Sequence, residues 1–441
     1  MPGCSSIIPG AGVSQITEIA MDPKIKAARF FDGHQIINDV LIELGSDQTL
    51  RALPPENNSA QIDYEVEFLS PQFFDWSLHM RGYRRYMSEL PYAYLPHFSE
   101  LLEFYGTGGG LDIGNTWERI AVARDMINIK QTMAWSGPIL VSDRPRHETE
   151  LFVYTMEAVR NAIEQIARQR AKAVVLGRSF APELVAIAVS EAKKHALLVA
   201  AIPGINSPVQ LLKLGADLLI GARNLIFEVI DWTPHTSPFE LVKAWAGVST
   251  QEIIERLVDD PKLNFYGVIT ELVAFRKTLF LQEAVHSSSL ELLVPILPDM
   301  DRLIEMRSSV GYMIGKRKIQ EATGLKILNS AEREEAEQGL ANLSCVVLAI
   351  AGKGRLLPGS SAASLSVCPG LGLLEELSYL QQIGVPTEEL LHSVTTRARQ
   401  LPNLIDNKSQ ASDVVTISRL SFTGDAASFL NLRGLNMKEH G

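Results

Sequence analysis

Between residues 158 and 220, short apolar runs alternate with helical segments, and this pattern constrains the chain more than any other feature. Ala158–Arg168 (AVRNAIEQIAR) has apolar residues at helical spacing, and Ala173–Leu176 (AVVL) is a short strand run closed by the turn Gly177-Arg178-Ser179. A helix over Pro182–His195 follows, then a strand over Leu197–Ile202, a helix over Pro208–Leu214, and a strand over Leu218–Ile220. Connections this short imply parallel strands in a sheet covered by helices. The rhythm continues to Thr395, and 441 residues suffice for one large α/β domain with an accessory piece.

The ends read differently. Residues 1–25, rich in Gly, Pro and Ser, read as a loose arm. Ala27–Phe31, the turn Asp32-Gly33 and Val40–Glu43 then read as a hairpin, and Tyr64–Leu69 (YEVEFL) alternates like a strand. Ser412–Ile417 (SDVVTI) is strand-like again. Strands at both ends of one long βα region predict termini that meet in a small β-sandwich beside a barrel. The expected boundaries are 1–68 for the arm and sandwich strands, 69–400 for the barrel, and 401–441 for the last strand and tail. Leu290–Asn342 is long for one βα unit. It reads either as a helix pair over the barrel mouth or as a longer barrel helix.

Composition excludes several classes. A net charge of −10 without a Lys/Arg-rich run argues against nucleic-acid binding, which needs a basic surface to displace counterions. Ala341–Ala351 is too short and too polar to span a bilayer, so no membrane partner is expected. The first residues, MPGCSSIIPGAGVSQ, have neither the basic nor the apolar region of a secretory signal. Cys4, Cys345 and Cys368 lie far apart with no zinc spacing, which suits a reducing compartment, so a cytoplasmic protein is expected. Cys345 reads as core. Gly106–Gly110 is no phosphate loop, since no Gly-Lys-Ser/Thr follows, and Gly359-Ser-Ser361 is no nucleophile elbow.

In order along the chain, several segments resemble the amidohydrolase superfamily, most closely its imidazolonepropionase-like and prolidase-like members. Phe30–Gly45 (FFDGHQIINDVLIELG) looks like the opening hairpin, and Ser70–Gly82 (SPQFFDWSLHMRG) like the first barrel strand with its His-x-His pair. Tyr105–Asn115 (YGTGGGLDIGN) resembles the second strand, and Ala171–Gly204 the unit with a bridging lysine and a histidine. Leu211–Ala222 (LLKLGADLLIGA) is similar to the segment that ends Glu-His-Gly in the family, and Glu375–Leu401 to the last helix pair. The resemblance implies a (β/α)8 TIM-like barrel with a sandwich from both ends, and a homodimer.

At the ligand positions the chain departs from the family. By the resemblance the first histidine of the pair is Ser77, and only His79 remains. The lysine position falls on Val175, the next two histidines on Ile202 and Gly221, and the water-activating aspartate on Ser361. Zinc needs three or four N, O or S donors at about 2.0–2.3 Å, and Val, Ile and Gly supply none. Without the metal, the lowering of bound-water pKa from about 15.7 to about 7 is lost, so no metal and no cofactor are expected. His79 is then the candidate acid or base, with Asp112 and Glu271 beside it. Trp76, Ser77, Arg178, Ile202, Arg223 and Ser361 are candidates for holding substrate, the arginines through a carboxylate or phosphate. The leading expectation is a metal-independent enzyme that cyclises, isomerises or eliminates on a small, partly apolar molecule. The alternatives are a non-catalytic binding or assembly protein and a metal-dependent hydrolase of C–N bonds.

Overall fold

In the computed structural model, β1 (Lys24–Phe31) and β2 (Ile36–Leu44) form the hairpin because Asp32 folds the turn between them. Asp32 Oδ1 accepts from the backbone N–H groups of His34 (2.7 Å) and Gln35 (2.8 Å), and Gly33 takes the positive φ of 102°. The structure describes residues 24–44, 50–54, 62, 64–80, 95–118, 120, 121, 132–233, 236–280, 327–362, 367–401, 404 and 414–417. Nearly all of the expected arm, together with Cys4, lies outside them.

The hairpin belongs to a five-stranded sheet of order β15-β4-β1-β2-β3, where β3 is Leu50–Ala52, β4 is Tyr64–Pro71 and β15 is Val414–Ile417. β15 pairs antiparallel with β4, with Val415 opposite Ser70, so both ends of the chain share one sheet. A sandwich needs a second facing sheet, and the described residues contain none against this one. Phe31 and Phe68 instead join the main core, while Ile25, Ala27, Phe30, Val40, Ile42, Val66 and Leu69 form a cluster of their own. β4 also runs across the boundary expected at residue 68.

The α/β region holds a seven-stranded parallel sheet of order β14-β13-β12-β11-β10-β8-β9 and a three-stranded parallel sheet of order β5-β6-β7. Their strands are β5 (Phe73–Leu78), β6 (Thr107–Asp112), β7 (Thr132–Trp135), β8 (Ile139–Val141) and β9 (Glu150–Phe152), then β10 (Ala173–Leu176), β11 (Leu198–Ala201), β12 (Leu218–Ile220), β13 (Gly267–Ile269) and β14 (Leu356–Leu357). The expected barrel is therefore two sheets and not one closed ring. The chain breaks at Ser136-Gly137-Pro138, between β7 on β6 and β8 on β10, and Pro138 has no N–H for a ladder bond. At the other edge the sheets meet through a parallel bridge between Leu78 and Ala362, and Ser361 N–H donates to Ser77 O at 2.8 Å.

Alternation along each strand sets the layers. Val174, Leu176, Val199, Ala201, Leu219 and Val268 pack under the helices, while Val175, Ala200, Ile220 and Ile269 pack with Trp76, Leu111 and Ile139 in a second cluster. Gly110 lets β5 and β6 approach, since a Cβ there would stand 2.4 Å from Leu78 Cδ1, which explains the glycine run. Of Leu290–Asn342, residues 290–326 lie outside the described set. The rest enters one helix, Ser330–Gly352, packed on Pro238–Gly247, where Asn342 Nδ2 donates to Trp245 O at 2.9 Å. Cys345 sits on its outer face and is exposed, contrary to expectation, whereas Cys368 is buried. No described helix is long and apolar enough to cross a membrane.

Candidate active site

The C-terminal ends of the parallel strands open onto a cavity of about 480 Å³. His79 reaches it from β5, Arg178 from β10, Ile202 from β11, Arg223 from beyond β12, Glu271 from β13 and Ser361 from β14. Strand ends converging on one mouth form the working face of such α/β layouts. The other candidates lie off the wall. Trp76 is fully buried and its indole N–H donates to Ser393 O at 2.8 Å. Asp112 accepts from Met80 N (2.7 Å) and Asn115 Nδ2 (2.9 Å), which ties β6 to the end of β5. Ser77 stands behind Glu271 and donates to its Oε1 at 2.7 Å.

Glu271 is the hub. Its Oε2 lies 3.0 Å from Arg223 Nη1, and its Oε1 lies 3.8 Å from His79 Nε2. Burial pushes this carboxyl up, but the Arg223 guanidinium, with help from His79 and Ser77, outweighs burial and holds it down at about 2. His79 Nδ1 is 2.8 Å from Ile113 O. A carbonyl only accepts, so Nδ1 carries the hydrogen and Nε2 is the basic nitrogen of the neutral ring. That nitrogen is the one facing Glu271.

Glu271 has left-handed backbone angles, φ 54° and ψ 33°, which a residue with a Cβ adopts only under constraint. The constraint comes from Glu376, on the helix Leu371–Gln382. Its carboxylate accepts from Leu272 N (3.0 Å), Val273 N (2.7 Å) and Thr270 Oγ1, bracketing Glu271 on both sides. Asp75 does the same for the β5 and β14 ends. Its Oδ1 accepts from Ser77 N (3.0 Å) and Ser360 N (2.9 Å), and its Oδ2 from Ser360 Oγ (2.5 Å).

Burial pushes Asp75 and Glu376 each up to about 7, against the hydrogen bonds that favour their anions. A carboxyl raised on folding contributes stability below its unfolded pKa of about 4 and loses it as pH rises through the folded value. Wild-type stability should therefore carry a downward component from about pH 4 to 7, and Glu376→Gln should flatten it. Urea unfolding at several pH values measures this, and parallel profiles for the two proteins would refute it.

Three observations bear on a metal. Val175 and Ile202 offer no donor atom, and the carboxylate nearest His79 is already held by Arg223 and Ser77. Among the described residues no group of three His, Cys, Asp or Glu is placed to hold an ion. Gly221, at the third altered position, has φ 79°, and a Cβ there would stand 2.6 Å from Asn224 Nδ2 and 3.2 Å from Glu271 Oε2. These residues do not fit a metal centre. Gly221→Ala should cost about 1–3 kcal/mol through backbone strain and that contact, read as a fall in melting temperature. An unchanged melting temperature would count against the packing described.

Sequence reasoning missed part of the wall. Arg144, Arg146 and His147 reach the cavity from the segment joining β8 to β9, Glu150 from the start of β9, and Asn224 from the 3₁₀ turn Ala222–Glu228. The basic run Arg144-Pro-Arg-His147 was the available signal. Glu376 offered none, because in sequence it is one carboxylate of an ordinary helix.

No family model matches the sequence, and no curated protein matches it significantly. Solved structures do match. A putative prolidase from Bifidobacterium longum shares 16% identity with a TM-score of 0.58, covering 93% of this chain and 92% of that one. The A. niger ochratoxinase shares 15% identity at a TM-score of 0.55, with 93% and 92% covered. A bottromycin amidohydrolase shares 15% identity at a TM-score of 0.61, with 90% and 82% covered. Identity this low speaks for architecture alone: the chain shares the fold of these solved structures.

Proposed function

We propose that this chain is a metal-independent enzyme on the amidohydrolase fold, acting on a small, partly apolar molecule by isomerisation, cyclisation or elimination. One observation carries the reading: His79 is fixed at Nδ1 by Ile113 O and turns its basic Nε2 to a cavity wall that also holds Glu271. In this role Nε2 takes a proton from the substrate, and the nearby Glu271 anion stabilises the imidazolium that forms. Returning the proton to another atom completes an isomerisation, and losing a leaving group completes an elimination. Ile202, Val141, Ile220 and Phe275 supply the apolar wall.

In the same reading the two parallel sheets act as one (β/α)8 barrel, supported by the backbone contacts at the β5 and β14 edge. The protein would be cytoplasmic, which the low cysteine number supports, and would take a small-molecule partner; a homodimer rests on the superfamily resemblance alone. The competing reading, a non-catalytic binding protein, draws on the internal balance of Glu271 by Arg223 and Ser77, which leaves its charge matched without substrate.

A thermal-shift ligand screen followed by turnover in chelator tests the proposal. Activity that survives chelation, in protein without stoichiometric metal, is the expected result. About one or two equivalents of zinc, lost together with activity, would overturn it.

A further inference from the structure

The cavity wall carries four arginines, Arg144, Arg146, Arg178 and Arg223, against two carboxylates, Glu150 and Glu271. That is an excess of positive charge in a chain whose net charge is −10. Both carboxylates are engaged. Glu271 pairs with Arg223, and Glu150 Oε2 accepts from the backbone N–H groups of Arg146 (2.6 Å) and His147 (3.3 Å).

Arg178 is the anomaly. A guanidinium has five N–H donors, and among the described residues this one engages only the neutral side chain of Asn224, from Nη2 to Oδ1 at 3.1 Å. No carboxylate among the described residues forms an ion pair with it, and its Nε–H is buried without a partner. Burial, and then the neighbouring charge of Arg223, pull its pKa down to about 10, so it stays a cation at neutral pH. Buried polar groups are almost always bonded, and an exception at a cavity calls for a partner that arrives from outside.

The side chain is also held in place. Asn224 Nδ2 donates to Ile220 O at 3.0 Å, which aims Oδ1 at Arg178. Ile205 N–H donates to Arg178 O at 2.9 Å, and a Cβ on Gly204 would stand 2.4 Å from that oxygen. Two cations set side by side on one wall, one of them unmatched, make a preorganised receptor for an oxyanion.

We infer that Arg178, with Arg223 beside it, is an oxyanion subsite, and that the molecule taken by this cavity carries a carboxylate or phosphate group on a partly apolar body. The inference rests on the cavity being the substrate site, and it narrows the substrate class. Arg178 binds and Asn224 positions it.

The test uses the full chain with three probes: inorganic phosphate, phenylacetate, and phenylacetamide as the neutral isostere. Calorimetric titration should show one or both anions binding saturably and the amide binding at least about tenfold more weakly. Phosphate alone binding assigns a phosphoryl group, and phenylacetate alone a carboxylate. Arg178→Gln should weaken the anion by about tenfold or more while leaving the amide unchanged. If that variant fails to fold, Asn224→Ala, which frees the guanidinium from its brace, should weaken the anion alone. Equal binding of acid and amide, no binding of either anion, or anion binding indifferent to these variants would overturn the subsite. Because binding is read without turnover, the two proposals fail separately. Anion binding in a protein inactive on every ligand sinks the catalytic reading alone, and turnover of a neutral substrate unaffected by Arg178→Gln sinks the subsite alone.

Discussion

His79→Asn is expected to slow turnover by about 10²–10⁴-fold, the usual worth of a positioned proton-transfer group. The asparagine amide can replace the donor to Ile113 O and keeps much of the shape, but it cannot take up and return a proton. The melting temperature and ligand affinity should therefore stay close to wild type while the rate falls. His79→Ala gives the contrast: it should be as slow, and it also strands the Ile113 carbonyl in a buried position, at a cost of about 1–3 kcal/mol. Asparagine that retains wild-type turnover, alongside alanine that only destabilises, would mark His79 as a packing residue and remove the acid–base role.

Arg223→Ala should lower stability at neutral pH by about 3–5 kcal/mol, because it leaves the Glu271 carboxylate buried without its cation. The pH dependence separates this cause from lost packing against Phe275, whose ring centre lies 5.7 Å from the guanidinium. In the wild type Glu271 is held at about 2, below its ordinary 4.5. Its contribution is thus complete above about 4.5 and lost as pH falls through the folded value. In the variant burial acts without its main opponent and the group protonates more readily. The deficit should be largest near neutrality and shrink below about pH 4.5. Arg223→Ala combined with Glu271→Gln should recover part of it. A deficit under about 1 kcal/mol, or one independent of pH, would show that the pair is not the hub it looks to be.

How far the sequence could be read depended on how local each signal was. The strands AVVL and LLI came out at Ala173–Leu176 and Leu218–Ile220 because buried parallel strands are short, uninterrupted apolar runs bounded by turns. The hairpin came out because Asp32-Gly33 carries its own turn chemistry. β7 and β8 did not, because the break at Gly137-Pro138 sends them to different sheets and only tertiary pairing reveals that. The second sheet of the expected sandwich is not found among the described residues, and alternation announces a strand with a covered face without saying what covers it. Cys345 was misplaced because, in a helix apolar on most sides, composition does not show which side is outward. In the site, His79 followed from the segment that resembles the superfamily's first barrel strand, and Glu271 from its place at a strand end. The clamp from Glu376 to Leu272 spans 104 residues and belongs to no motif.

The pairing of β15 with β4 ties the fold to the timetable of synthesis. Val415 lies opposite Ser70, so 415 − 70 = 345 residues separate the partners. At the roughly 5–20 residues per second of translation, β4 waits about 17–70 s after leaving the ribosome before its neighbour is made. Throughout that interval its outer edge offers unpaired N–H and C=O groups to any strand nearby. The nascent chain is thus most prone to wrong pairing before Val414–Ile417 emerges, and conditions that slow elongation after the site has been translated should favour aggregation.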